Sequence, residues 1–167
     1  MTTTRTHRPV EVDRTSPVNR AALLVGATFL LVGILGFVPG ITSDFDQLEF
    51  AGHESGAQLL GLFEVSVLHN LVHIAFGVAG IVAARSWASV ARNFLIIGGV
   101  VYLVLWLYGL LIDETSDANF VPVNDADNWL HFGLGVAMIA LGALLPRTAD
   151  RGATPATGGD VPDRRTR

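Results

Sequence analysis

Four long stretches of this chain carry almost no charge, and they constrain the fold more than any other feature. They cover about residues 21–38, 67–84, 93–112 and 126–145, and each is bounded by Arg, Asp or Pro. A helix over residues 21–38 would measure about 27 Å, close to a hydrocarbon thickness of about 30 Å. Half of the residues are apolar. The sequence therefore predicts an all-α integral membrane protein with four transmembrane helices.

The arginines indicate how these helices are oriented. The chain contains no lysine, and its arginines all lie before the first stretch, between the second and third, or after the fourth: Arg5, Arg8, Arg14, Arg20, Arg85, Arg92, Arg147, Arg151, Arg164, Arg165 and Arg167. Positive residues near membrane ends are retained in the cytoplasm. We therefore expect a multi-pass protein of the plasma membrane with both termini cytoplasmic. Ten of the fifteen acids then lie outside, in loops 39–65 and 113–125 and the first turn of the fourth helix.

The composition divides the chain into a membrane domain, residues 20–146, and two tails. Residues 1–19 are rich in Thr, Arg and Pro, and residues 147–167 are rich in Gly, Thr, Asp and Arg. Such segments bury too little apolar surface to fold alone. We expect disordered cytoplasmic tails whose arginines face lipid headgroups rather than nucleic acid. The first apolar stretch lacks a small-x-small cleavage site, so it is interpreted as an uncleaved anchor.

A ten-residue motif occurs twice. The first copy is Asn70-Leu-Val-His73-Ile-Ala-Phe-Gly77-Val-Ala79 and the second is Asn128-Trp-Leu-His131-Phe-Gly-Leu-Gly135-Val-Ala137. A fainter echo aligns Gly26, Phe29, Leu30 and Gly36 with Gly99, Tyr102, Leu103 and Gly109. These spacings predict two parallel-repeat helical hairpins related by a pseudo-two-fold axis, with the second and fourth helices facing each other.

Each copy of the motif places polar residues on one face of the outer half of a helix. Near a helix start, Asn and His can hydrogen-bond free amides and loop carbonyls, and Gly lets backbones approach. Two residues of the set, Ser66 and Asn124, also stand where N-caps should. We interpret this face as a structural polar clasp that fixes the outer loops to the bundle. It comprises Ser66, Asn70, His73, Asn124, Asn128 and His131.

The same face has a second interpretation, metal or haem binding. His69 and His73 are four residues apart, the spacing at which two imidazoles can meet one ion, and Asp127 and His131 repeat it. Alternatively, His73 and His131 alone would be the two axial ligands of a haem between the helices. The clasp interpretation requires no cofactor.

Transport and catalysis are less favoured. The inner halves of the four stretches contain no ionisable residue, so a relay across the membrane would lack its lower half. Ser66, His69 and Glu64 are residue types found in hydrolases, but this short segment offers no evident oxyanion hole. The absence of cysteine removes disulfides, thiolate metal sites and cysteine nucleophiles. The leading interpretation is a structural or partner-binding protein in the lipid bilayer, whose partner is another membrane protein or a second copy of this chain.

The first outer loop, residues 39–65, is long for a structureless connection. Its apolar residues predict short helices that lie over the membrane surface and cap the bundle, with a partly ordered loop as the alternative. They are Phe45, Leu48, Leu59, Leu60, Leu62 and Phe63.

The chain resembles a group of bacterial membrane proteins common in actinobacteria, domain-of-unknown-function family 4383. The resemblance is carried by Leu60-Gly-Leu-Phe-Glu-Val-Ser-Val-Leu-His69-Asn70-Leu-Val-His73, followed by Gly77, and by Pro122-Val-Asn-Asp-Ala-Asp-Asn128-Trp-Leu-His131. It covers roughly residues 20–146. Members often have Asn where this chain has Ser66, and either residue is a good N-cap. The resemblance implies a four-helix membrane protein of unassigned activity and supplies no catalytic residue.

Overall fold

The fold, described by a computed structural model over residues 16–148 except Asp117, is built on four long helices. They are α1 (Pro17–Leu35), α2 (Val67–Ala84), α3 (Ala88–Leu111) and α4 (Asp125–Leu144). All four are long and apolar enough to cross a membrane. The predicted all-α four-helix bundle is therefore confirmed. The tail predictions for residues 1–15 and 149–167, including their arginines, lie outside the described residues.

Several helix boundaries differ from those predicted. The bounds of α2 agree, but α1 begins at Pro17 rather than residue 21, and α3 begins at Ala88 rather than residue 93. Ser16 caps α1 by accepting the Asn19 amide, and proline at the first helical position sacrifices no intrahelical hydrogen bond. The helices α1 and α3 each include an arginine near their start. A prediction that requires charge-free residues therefore places these helix starts too late in the sequence. At the other ends, α1 stops at Leu35 rather than residue 38, and α4 covers 125–144 rather than 126–145.

The helices pack as two hairpins, α1 with α2 and α3 with α4. Between the hairpins, α3 contacts both α1 and α2. Glycines allow the close approach within a hairpin, since a Cβ on Gly26 would lie 2.8 Å from the Gly80 carbonyl carbon. The expectation that α2 and α4 face each other is wrong for their backbones, which make only marginal contact. Tyr102 of α3 lies between them and contacts His73 and His131.

The first outer loop contains strands where short helices were expected. Strands β1 (Thr42–Ser43), β2 (Gln58–Leu59) and β3 (Phe63–Glu64) form an antiparallel sheet in the order β1-β2-β3. Leu60 and Gly61 both have positive φ, 57° and 67°, and close a tight turn between β2 and β3. The only helical piece in residues 39–65 is a 3-10 turn, Phe45–Gln47. Leu59 and Val65 are buried and pack near Leu35 of α1, so the loop is a folded cap.

Backbone hydrogen bonds join this cap to the helices and to the second outer loop. The first amides of α2 donate into the cap, Val67 to Glu49 oxygen at 3.0 Å and Leu68 to Phe50 oxygen at 2.9 Å. The Gly52 amide donates to Phe120 oxygen in the second loop at 2.8 Å. Helix amides that would otherwise be free are therefore used to hold the cap.

The opposite end of the bundle is joined by two polar side chains. Asn19 of α1 donates from Nδ2 to Ala84 oxygen at 2.8 Å and to Ser86 oxygen at 3.1 Å, at the end of α2. Arg92 of α3 donates from Nε to Gly142 oxygen of α4 at 3.0 Å. Each of these bonds connects the two helices of one hairpin.

Candidate functional site

At their outer ends, α2 and α4 start after residues whose side chains cap the helix, as predicted for Ser66 and Asn124. Ser66 Oγ accepts the His69 amide at 3.1 Å. Asn124 Oδ1 accepts the Asp127 amide at 3.0 Å, and Asp127 Oδ2 accepts the Asn124 amide at 3.3 Å. This reciprocal pair is a capping box, with Asp in the position usually held by Glu or Gln.

The start of α4 also holds the cap of the other hairpin. Asn124 Nδ2 donates to Leu62 oxygen at 3.0 Å, and the Glu64 amide donates to Asp127 Oδ2 at 3.1 Å. We call these two bonds the inter-hairpin bridge. Asp127 is 2% exposed, so its bond to Glu64 forms largely out of water and is charge-assisted when the carboxylate is ionised. Of the two bridging residues, sequence reasoning placed Asn124 in the clasp but assigned Asp127 only to the metal set.

The two repeated asparagines are packed against glycines of the neighbouring helix. A Cβ on Gly36 would overlap the Asn70 carboxamide, and a Cβ on Gly109 would overlap that of Asn128. Both asparagines are buried, 1% and 3% exposed. Asn70 Nδ2 and Asn128 Oδ1 have no hydrogen-bond partner among the described residues. Their placement therefore reflects close helix packing more than a completed hydrogen-bond network.

The three histidines gather around Tyr102 rather than around a common point. His73 Nδ1 lies 3.1 Å from His69 oxygen, and its Nε2 lies 3.3 Å from the Tyr102 hydroxyl. The rings of His69 and His73 meet edge to face with centroids 4.2 Å apart. The ring of His131 packs on Tyr102 with centroids 5.1 Å apart. Tyr102 also packs on Phe29, so one side chain contacts His73, His131 and Phe29.

The proposed metal ligands His69, His73, Asp127 and His131 line one cavity of about 100 Å³ together with Tyr102, but they do not converge as a metal-binding group. Within the described ranges, no group of three or more His, Asp or Glu side chains is placed to hold a metal ion. The Asp127 carboxylate already accepts two amides, and both nitrogens of His73 have partners. A haem bound by His73 and His131 would have to displace Tyr102. A metal or haem at these residues would therefore require Asp127 or Tyr102 to move from the positions described.

The electrostatics of the outer cap affect one carboxyl most clearly. Partial burial raises the pKa of Glu64 above its usual value, the nearby Glu114 raises it further, and His53 lowers it. By contrast, hydrogen bonds from Thr115 lower the pKa of the exposed Asp113. Glu64 is thus the cap carboxyl that holds a proton more readily than in an unfolded chain.

Three residues at these contacts were missed by sequence reasoning as site residues. Tyr102 was noted only as the counterpart of Phe29, since an aromatic residue in an apolar helix gives no sign of where its hydroxyl lies. Asn19 was assigned to a disordered tail, although Ser16-Pro17 is a recognisable helix start. Arg92 was counted only as an orientation signal.

Comparison with known proteins gives one match. The family described as "Domain of unknown function (DUF4383)" matches residues 19–144. Neither the curated proteins nor the solved structures give a match.

Proposed function

The chain belongs to the DUF4383 family, and we propose that it is a structural, partner-binding protein of the membrane rather than an enzyme. The observation that supports this proposal is the inter-hairpin bridge, in which Asn124 and Asp127 are engaged by the backbone of the cap. A polar group that already has partners is poorly placed to act on a substrate. On this proposal the polar clasp and the bridge keep the cap rigid above the bundle.

The bridge is tested by Asp127→Ala, with Asp125→Ala as its matched control. Both residues are acids in the first turn of α4, but Asp125 is exposed and Asp127 is buried in the bridge. Losing the capping box and a charge-assisted bond should destabilise the fold by about 2 kcal/mol. We expect a lower melting temperature in detergent and faster proteolysis within residues 39–65 for Asp127→Ala only. Equal behaviour of the two variants would contradict the structural role.

The partner is proposed to bind the outer cap. Phe50 and Leu60 are exposed large apolar residues on the cap, and Phe120 is exposed on the second outer loop that the cap contacts. Both loops are otherwise rich in acids. A photo-crosslinking amino acid at Phe50 should form an adduct with a membrane protein or a second copy of the chain in intact cells. The same group at Trp87, exposed at the other end of the bundle, is the control. Crosslinking only to lipid at Phe50 would contradict partner binding at the cap.

We further propose a plasma-membrane location with both termini cytoplasmic. The support is the distribution of arginines along the sequence. Because the chain has no cysteine, single cysteines can report accessibility without background. A membrane-impermeant maleimide should label Glu54→Cys but not Thr157→Cys in intact cells. The reverse labelling pattern would show that the chain has the opposite orientation in the membrane.

The two hairpins are also proposed to be an internal repeat. Asn70 against Gly36 and Asn128 against Gly109 are the same contact at the two sequence spacings of the repeat. The test is a pair of matched exchanges, Asn70→Ser and Asn128→Ser. Equal losses of stability support equivalent roles, and a loss at only one site contradicts them.

The alternative proposal remains a metal or haem site that uses His69, His73, Asp127 and His131. It is the weaker one because Asp127 serves the bridge and Tyr102 occupies the space between His73 and His131. Absorbance and metal analysis of the purified protein test it, together with a variant in which His73 and His131 are both replaced by Ala. A Soret band or stoichiometric metal that this double variant loses would favour the alternative over the structural proposal.

A further inference from the structure

An apolar cavity of about 120 Å³ lies between α2 and α3, beneath the second outer loop. Val123 of that loop, which is buried, lines it above, and Phe76 lines it on the α2 side. Val72 and Val101 also line it and are 52% and 43% exposed. Since both valines stand on membrane-spanning helices, the cavity opens toward the lipid rather than toward water.

The lining of this cavity also includes His69, His73, His131 and Tyr102. His73 has a partner for each ring nitrogen, but Nδ1 of His69 and Nδ1 of His131 have none among the described residues. His69 is 9% exposed and His131 is 6% exposed, so bulk water does not supply the missing bonds. An unpaired polar atom in such surroundings destabilises the fold, because it has lost its bonds to water without replacing them. Two of them beside one apolar cavity indicate a ligand with polar atoms of its own.

The lining restricts the chemistry of that ligand. None of the lining residues is Arg or Lys, so a phosphate headgroup would have no counter-charge. No metal-holding group was found among the described residues, which disfavours a cation. A neutral imidazole can donate or accept through Nδ1 according to its tautomer, and it therefore suits a carbonyl or a hydroxyl oxygen. At about 120 Å³ the cavity is smaller than the roughly 150 Å³ of one that holds a benzene ring, so the part of the ligand inside it is a single ring without bulky substituents.

From these contacts we propose that the cavity between α2 and α3 binds the ring of a lipid-soluble quinone, with His69 and His131 as hydrogen-bonding partners of the ring oxygens. Such a ring enters from the bilayer between Val72 and Val101. Its apolar face packs on Phe76, and Tyr102 holds His73 in place beside it. The inference concerns binding only and goes beyond the structural role proposed above.

The experiment uses the purified full chain in detergent and the probe 1,4-benzoquinone, an unsubstituted ring that suits the cavity volume and quenches tryptophan fluorescence. We expect saturable quenching. Benzene, a ring of similar size without oxygens, should not displace the quinone at equal concentration. Replacing His131 by Leu should weaken binding about tenfold. Displacement by benzene, or the absence of saturable quenching, would overturn the proposal.

A second pair of variants tests the same site in case the His131→Leu variant misfolds. Val101→Phe narrows the mouth of the cavity, whereas Val104→Phe adds the same ring to an exposed position of α3 that does not line it. Both side chains face outward, so the fold should tolerate either change. We expect Val101→Phe to weaken binding at least tenfold. Val104→Phe should leave the affinity unchanged within experimental error. Identical affinities in the two variants would show that the quinone does not occupy this cavity.

Discussion

The Asp127 carboxylate of the second hairpin accepts the Glu64 amide of the first at 3.1 Å, across 63 residues of sequence. The same carboxylate oxygen completes the capping box of α4. One side chain therefore starts a transmembrane helix and fixes the position of strand β3 in the outer cap. Loss of this group should affect both features together, which links local helix capping to the tertiary arrangement of the hairpins.

Close packing of glycine against asparagine gives the first prediction. Gly36→Ala and Gly109→Ala should each destabilise the protein by about 1–3 kcal/mol, because the added Cβ would overlap Asn70 or Asn128. Gly133→Ala is the control, since a Cβ there meets no atom within 4 Å and alanine favours helix. Thermal unfolding in detergent measures all three. A Gly133→Ala variant as unstable as the other two would contradict the packing explanation.

Glu64 gives a prediction on pH. Partial burial raises the pKa of this carboxyl in the folded protein above the unfolded value of 4.5, so the folded state binds the proton more tightly. Its contribution to stability is therefore present below that value and is lost as pH rises through the folded pKa. Glu64→Gln should raise the melting temperature at pH 7. It should also reduce the fall in melting temperature between pH 4 and pH 7.

The control for this pH experiment is Glu54→Gln, at an exposed position of the same loop. It should leave the difference between the melting temperatures at pH 4 and pH 7 as in the parent protein. A Glu64→Gln variant whose melting temperature falls at pH 7 would show that the ionised carboxylate is stabilising, contrary to the account.

The inner end of the first hairpin depends on Asn19. Asn19→Ala removes both hydrogen bonds to the end of α2, so the Ala84 and Ser86 carbonyls lose a buried donor. We expect a loss of about 1–3 kcal/mol in unfolding free energy. Thr28→Ala serves for comparison, because its hydroxyl bonds only to Leu24 of its own helix. If denaturant unfolding gave equal stabilities for the two variants, Asn19 would have no role in joining α1 to α2.

The four helices could be predicted because each is a long apolar run, which the membrane requires. The caps at Ser66 and Asn124 could also be predicted, since their residue types precede an apolar periodic segment. The helix starts at Pro17 and Ala88 could not be found by the same criterion. Arg20 and Arg92 extend from the membrane ends of these helices, so absence of charge marks the membrane interior and not the helix itself.

The outer cap was harder to predict for a specific physical reason. Its strands have two residues each, too few to show an alternating pattern, and the turn uses Leu60 at positive φ where Asn or Gly is usual. Apolar residues such as Leu59 and Phe63 therefore suggested helices. Tyr102 could not be assigned to the histidines from sequence, because its contact with His73 depends on how the hairpins pack.

Hydrogen exchange at a single amide tests the inter-hairpin bridge most directly. In the parent protein the Glu64 amide should be protected, since it donates to the buried Asp127 carboxylate. Asp127→Ala should remove this protection, while Asp125→Ala should leave it unchanged. Continued protection of the Glu64 amide in Asp127→Ala would contradict the claim that this side chain holds the cap to the bundle.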